Sequence, residues 1–139
     1  MAFVLDASTA LNLILPEESA TAASRAIADA FETGETAVVP SLWLLEISNV
    51  LLVSERSGRL GQGHGDRLLE GLLALPIKVA PEAFGGAPRT LETLRLARDR
   101  GLSAYDGAYL WLARSQNLPL ATGDQALTQA ATKSGVRLL

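Results

Sequence analysis

A chain of 139 residues with 12 Lys and Arg against 15 Asp and Glu carries a formal charge of −3. That length suits one domain, residues 1–139, whose core hides about 70% of the surface exposed by the unfolded chain, and the charge gives no global basic footprint of a protein built only to bind nucleic acid. With 48% hydrophobic residues, mean hydropathy +0.22 and no cysteine, the chain has no disulfide, thiolate metal site or cysteine nucleophile, and no apolar run approaches the roughly 18 residues of a membrane-spanning helix.

Residues 3–5 form a short apolar run ending at Asp6, which predicts a buried strand whose carboxyl end delivers that acid. No basic segment precedes a signal-like core, so the expectation is a cytoplasmic protein without a membrane anchor. Asp6, Ser8 and Thr9 all suit the cap of the helix that follows. Ser8 or Thr9 is expected to take that place and leave Asp6 free. Glu17 and Glu18 open an Ala-rich helix to about Thr33, Gly34 stops it, and residues 36–39 read as the second strand. Residues 42–53 (LWLLEISNVLLV) are apolar almost all round, which predicts burial on several faces. Glu46 lies in the middle of this helix, where an unpaired charge needs a partner, a metal or an opening to water. Asn49 lies one turn further on the same face and can share that opening.

Glu55, Arg56 and Arg59 read as a solvated helix end, residues 58–65 as a turn-rich connector, and 66–75 as a short helix. The lone histidine, His64, sits in the connector and receives no role. Residues 77–80 form a third strand, 83–88 a loop broken by Gly and Pro, and 90–100 a charged helix. Arg89, Arg95, Arg98 and Arg100 read as its solvated face rather than a phosphate site. A helix over 103–116 carries Asp106, a strand over 118–122 leads to Asp124, and a helix over 125–133 precedes a last strand at 136–139. Short apolar strands alternating with helices predict βαβ units. The fold class is α/β, a three-layer sandwich around a mostly parallel sheet of about five short strands.

Asp6 and Asp124 follow strands, whereas Glu46 and Asp106 sit on apolar helices that must pack on the sheet. Right-handed crossovers bring such positions to one edge, where α/β sheets bind ligands. Carboxylates gathered there repel one another unless a cation compensates. An oxygen-only donor set selects a hard ion, Mg²⁺ or Mn²⁺, and such ions promote attack of water on phosphodiesters. Ser8 and Thr122 are placed to hold water or a phosphate oxygen, although both residue types also serve as turn and cap residues.

Asp6 in VLDAS, Glu46 in LLEISNVL, Asp106 in SAYDGAYLWLA and Asp124 in LATGDQAL resemble, in order and spacing, the four acidic motifs of PIN-domain ribonucleases, and the compact chain is similar to the VapC toxins of toxin–antitoxin pairs. The resemblance covers essentially the whole chain. It implies a Mg²⁺- or Mn²⁺-dependent endoribonuclease acting on RNA, a homodimer, and inhibition by a VapB-type antitoxin. It also implies that the four acids form the metal site, with Thr122 as the polar residue ahead of the last one. Gly107 departs from relatives that carry alanine, and a glycine there loosens the helix slightly. A phosphatase of the haloacid-dehalogenase type would need a second acid where Ser8 stands, and a receiver-like domain would need a late lysine where the chain has only Lys78 and Lys133. The alternative function is a non-catalytic PIN-like module that binds RNA or protein. Abundant Leu, Ala and Val, including Leu51, Leu52 and Val53, point to a partner-covered surface.

Overall fold

The computed structural model describes residues 1–15, 21–80 and 86–139. Its elements are β1 (Ala2–Leu5), α1 (Ala7–Leu11), α2 (Ala22–Glu32), β2 (Thr36–Pro40), α3 (Leu42–Arg56), α4 (His64–Leu73), β3 (Ile77–Ala80), α5 (Gly86–Arg100), α6 (Ala104–Gln116), β4 (Leu120–Ala121) and α7 (Gln125–Lys133). The strands form a parallel sheet in the order β3-β2-β1-β4. Phe3, Val4 and Leu5 are all fully buried. Successive strand residues point to opposite faces, so both faces of the sheet are covered. Lys78 is exposed on β3, the edge strand opposite β4, and a charge there discourages further strand pairing.

The sheet has four strands rather than about five, because residues 136–139 contribute only an isolated bridge, Leu138 to Leu120. β4 is likewise shorter than the expected 118–122, since Leu118 uses its N–H on the Ala113 carbonyl to close α6 instead of extending the ladder. That closure follows Asn117, whose left-handed backbone (φ 53°) ends the helix.

The expected start of the second helix at Glu17 and Glu18 lies outside the described residues; α2 begins at Ala22 behind a reciprocal cap between Thr21 and Ser24. The expected loop over 83–88 lies partly outside them, and from Gly86 the chain is already helical, with Pro88 in the first turn, where its missing N–H does no harm. Helix α4 begins at His64 rather than Asp66, and Glu55 is more than a solvated terminus. Its Oε1 accepts the Gly65 N–H at 2.9 Å and so supplies a partner for the first turn of α4.

Helix α3 corrects the expectation of burial on several faces. Trp43, Ile47, Leu51 and Ser54 form one buried stripe at helical spacing, while Leu45 is 75% exposed, Val53 52% and Leu52 46%. Helices α1 and α4 pack against it and leave these residues open. By contrast α6 buries Gly107, Ala108, Tyr109, Leu110, Leu112 and Ala113, because it packs on β1 and β2 while α5 covers it. At Gly107 an added Cβ would lie 2.8 Å from the Cβ of Ala97. The glycine therefore permits the close approach of α5 and α6 rather than merely loosening a helix.

Candidate active site

In the order β3-β2-β1-β4 the chain builds outward from β1 on one side and returns to its other side with β4. The carboxyl ends of β1 and β4 thus meet at a topological switch point, the expected ligand crevice of a parallel α/β sheet. Leu5 pairs with Ala121, so the next residues, Asp6 and Thr122, stand side by side.

Asp6 is 4% exposed and caps α1. Its Oδ1 accepts the Thr9 N–H at 2.7 Å and the Ser8 hydroxyl at 3.2 Å, and its Oδ2 accepts the Thr122 hydroxyl. This overturns the expectation that Ser8 or Thr9 caps the helix and leaves Asp6 free. Helix α1 starts at Ala7, directly after the strand, so Asp6 is the residue whose side chain can reach the orphaned N–H of Thr9. Ser8 and Thr122 stand beside the first acid, and both donate their hydroxyls to it. Thr9 accepts the Gly123 N–H at 2.9 Å, and Thr122 Oγ1 accepts that of Asp124 at 3.0 Å. Asp124 in turn caps α7 through Leu127 N–H at 2.7 Å. Two helix starts are thereby stitched together across the β1–β4 seam.

Glu46, half-buried on α3, accepts the Tyr109 hydroxyl at 2.8 Å through Oε1. Burial raises its pKa above the ordinary carboxylate value; the Tyr109 hydrogen bond opposes the rise, and the charges of Asp106 and Asp6 add to it. Asp106 lies in the first turn of α6 behind the Ser103 cap. Its pKa is also raised, first by burial and then by Asp124 and Asp6, against a hydrogen bond with Ser103. Beyond burial, Glu46 therefore feels the charges of Asp106 and Asp6, and Asp106 those of Asp124 and Asp6. Burial pushes the Tyr109 phenol far up, Glu46 adds to that, and a backbone hydrogen bond from Ala7 opposes it.

Among the described residues no group of three or more Asp, Glu or His side chains stands close enough to hold a metal ion in the arrangement present. The donor set nonetheless suits a hard cation. It is all oxygen, its charges are mutually unfavourable, and Asp124 and Glu46 each commit one carboxylate oxygen to a hydrogen bond through Leu127 and Tyr109, leaving the second for a ligand. Asn49 is exposed and lines a cleft of about 410 Å³ with Glu46, Leu42, Leu45 and Tyr105. A second cleft of about 480 Å³ runs from Ser8 and Asn12 past Thr21 to Thr122 and Asp124.

Tyr109 was not among the sequence candidates, although its place three residues after Asp106 on a buried helix face carried a signal, because a buried phenol needs a hydrogen-bond partner. Thr9, Asn12 and Thr21 were also missed, and nothing local in the sequence distinguishes them from ordinary helix-start residues.

Fold and site together define an α/β domain with an acidic centre at its switch point. The chain belongs to the PIN domain family, whose model matches residues 3–133. Its relatives in Pyrobaculum aerophilum include the exonuclease VapC9, 33% identical over 102 residues that span 73% of this chain and 71% of that protein, and the ribonuclease VapC3, 29% identical over 129 residues that span 93% and 94%. A solved structure of VapBC2 from Rickettsia felis, bound to a DNA fragment from their promoter, matches with a TM-score of 0.69 over 100% of this chain and 98% of that one at 13% identity. That last likeness is one of fold.

Proposed function

We propose that this protein is a Mg²⁺- or Mn²⁺-dependent endoribonuclease and the toxic member of a toxin–antitoxin pair, with Asp6, Glu46, Asp106 and Asp124 as its metal-holding acids. The observation that carries this is geometric: Asp6 and Thr122 stand side by side at the β1–β4 switch point with Asp124 bonded to Thr122, and Glu46 and Asp106 lie near enough that, beyond the effect of burial, the charges of neighbouring acids raise their pKa values. When bound there, a hard divalent cation activates the attacking water and neutralises charge on the phosphodiester. The chain's own contribution is orientation. Thr9, Ser8 and Thr122 fix both oxygens of Asp6, Leu127 N–H fixes one oxygen of Asp124, and Asn12 and Thr21 along the polar cleft offer hydrogen bonds to the sugar–phosphate backbone. Asn49 lies beside Glu46, where it can bind water or a phosphate oxygen.

Names of relatives support a nuclease: one is called an exonuclease and the other, without a stated mode of cutting, a ribonuclease. Circular and linear RNA, each incubated with Mn²⁺ or with EDTA, test the reading. Cleavage of the circle that requires Mn²⁺ is expected, and full cleavage in EDTA overturns the metal dependence. Cleavage of linear RNA alone leaves a nuclease but refutes internal cutting. The spacing of the acids among the described residues favours the competing reading of a non-catalytic RNA- or protein-binding module, which predicts binding without cleavage in every arm.

The partner reading rests on the exposed apolar side of α3, where Leu45 lines the cleft that holds Glu46 and Leu52 and Val53 stand exposed further along the helix. A VapB-type antitoxin laying an amphipathic segment there could bring a basic side chain to the carboxylates in place of the cation, and a homodimer would cover further apolar surface. Co-expression with a neighbouring small reading frame should relieve toxicity. A harmless, monodisperse monomer indifferent to that product would refute the partner reading and leave the nuclease reading standing.

A further inference from the structure

We infer that Tyr109 is a positioning residue of the acidic centre, whose hydroxyl holds one oxygen of Glu46 so that the other is presented to a divalent cation. The inference rests on the metal-centre reading above and adds a residue to it.

Tyr109 stands three residues after Asp106 on α6 and its side chain is 1% exposed. The hydroxyl donates to Glu46 Oε1 on α3 at 2.8 Å, and its electrostatic surroundings include the backbone of Ala7, the residue after Asp6. A single phenol therefore ties Glu46 on α3 to α6, the helix that carries Asp106. Glutamate has one more rotatable bond than aspartate, and Glu46 is half-exposed beside an open cleft. Its carboxylate would otherwise be free to swing towards water. Asp6 and Asp124 gain their orientation from helix caps, but Glu46 sits in the second turn of α3, past the helix start, and caps nothing. The tyrosine hydroxyl supplies the missing constraint. A phenylalanine would fill nearly the same space, so packing alone does not call for the oxygen.

The test is the affinity for Mn²⁺ by calorimetry in wild type, Tyr109→Phe, Glu46→Gln and the double variant, below the melting temperature of each. Loss of an outer hydrogen-bond partner of a metal ligand weakens binding by about 10–100-fold, and Tyr109→Phe is expected near the lower end of that range. In the Glu46→Gln background the same change should add nothing, because a residue acting through Glu46 has no further effect once that carboxylate is gone. Unchanged affinity in Tyr109→Phe, or an equal loss in both backgrounds, overturns the inference. Wild-type protein that binds no Mn²⁺ overturns instead the reading on which it rests. Should Tyr109→Phe fail to fold, Mn²⁺ titration of Tyr105→Phe provides the readout, since Tyr109 is then the only tyrosine left of the two in the chain. A tyrosine absorbance difference that saturates with the metal is expected there, and its absence is fatal to the proposal.

Discussion

Replacing Gly107 by alanine sets two local effects against each other. Alanine inside a helix is favoured over glycine by about 1 kcal/mol, and Gly107 lies only four residues into α6, so the gain should not exceed that figure. Against it, the new methyl would lie 2.8 Å from the Ala97 Cβ and 3.4 Å from the Thr93 carbonyl oxygen. Carbon atoms prefer about 3.5–4.0 Å, so α5 and α6 must separate by about 1 Å. Ala97 has no flexible end to move aside. Overpacking of this kind costs about 1–3 kcal/mol, which predicts a net loss of about 1 kcal/mol and a melting temperature lower by about 3–4 °C. Asp106 is the preceding residue, so the same displacement should reduce cleavage about tenfold or more. Thermal and urea melts with a single-turnover assay read both effects. Adding Ala97→Gly removes the opposing methyl and should recover most of each. A Gly107→Ala protein that melts higher than wild type and cleaves at full rate would refute the steric argument.

Asp6→Asn should abolish cleavage while leaving the melting temperature nearly unchanged, because asparagine still accepts the Thr9 N–H as a cap; Asp6→Ala should also lose about 2 kcal/mol by removing the hydrogen bonds to Thr9, Ser8 and Thr122. Glu55→Ala, which strips the Gly65 N–H of its acceptor, should lower stability by about 1 kcal/mol in a urea melt. Leu45→Glu combined with Val53→Glu should leave stability within about 0.5 kcal/mol, since both side chains are exposed, yet abolish co-purification with an antitoxin. Glu46 and Asp106 have raised pKa values when folded, so metal-free protein takes up their protons before the unfolded chain does. Its stability should therefore rise as pH falls from neutral through those raised values and hold that gain below the ordinary carboxylate range. Melts in EDTA should show a smaller pH slope for Glu46→Gln with Asp106→Asn than for wild type, and equal slopes would contradict the assignment.

Much of the candidate site is legible in the sequence because the acids stand out against apolar surroundings. Asp6 follows a strand whose last three residues are buried and Glu46 interrupts an apolar helix, and each anomaly asks for a chemical reason. Alternation of strands and helices likewise predicts the parallel sheet, and the order of elements follows. What remained hidden depends on choices that only tertiary contacts settle. Three adjacent residues, Asp6, Ser8 and Thr9, can all cap a helix, and the decision rests on α1 beginning one residue after β1. An all-round apolar sequence looks buried everywhere, yet α3 leaves Leu45, Leu52 and Val53 in solvent because α1 and α4, which pack against it, leave them open. The role of Gly107 depends on Ala97, which belongs to another helix. The apolar runs at 118–122 and 136–139 predict longer strands than form, because most of their residues do not continue the ladder.

The seam between β1 and β4 rests on very little backbone. Only Leu120 and Ala121 belong to β4, and the bonds across it include Val4 N–H to Pro119 at 2.8 Å and Asp6 N–H to Ala121 at 3.3 Å, with Arg137 and Leu139 bonding Leu120 on the far side. Opening free energies differ from place to place in a folded chain, and a short edge strand belongs to the low end. Amide hydrogen exchange at Val4 and Asp6, whose N–H groups bond across the seam, should thus outpace that at Val38 and Val39 inside the sheet. Asp6 and Asp124 stand on opposite sides of this seam, so any ligand that grips both closes it, and slowed exchange there would register occupancy without a single bond being cut.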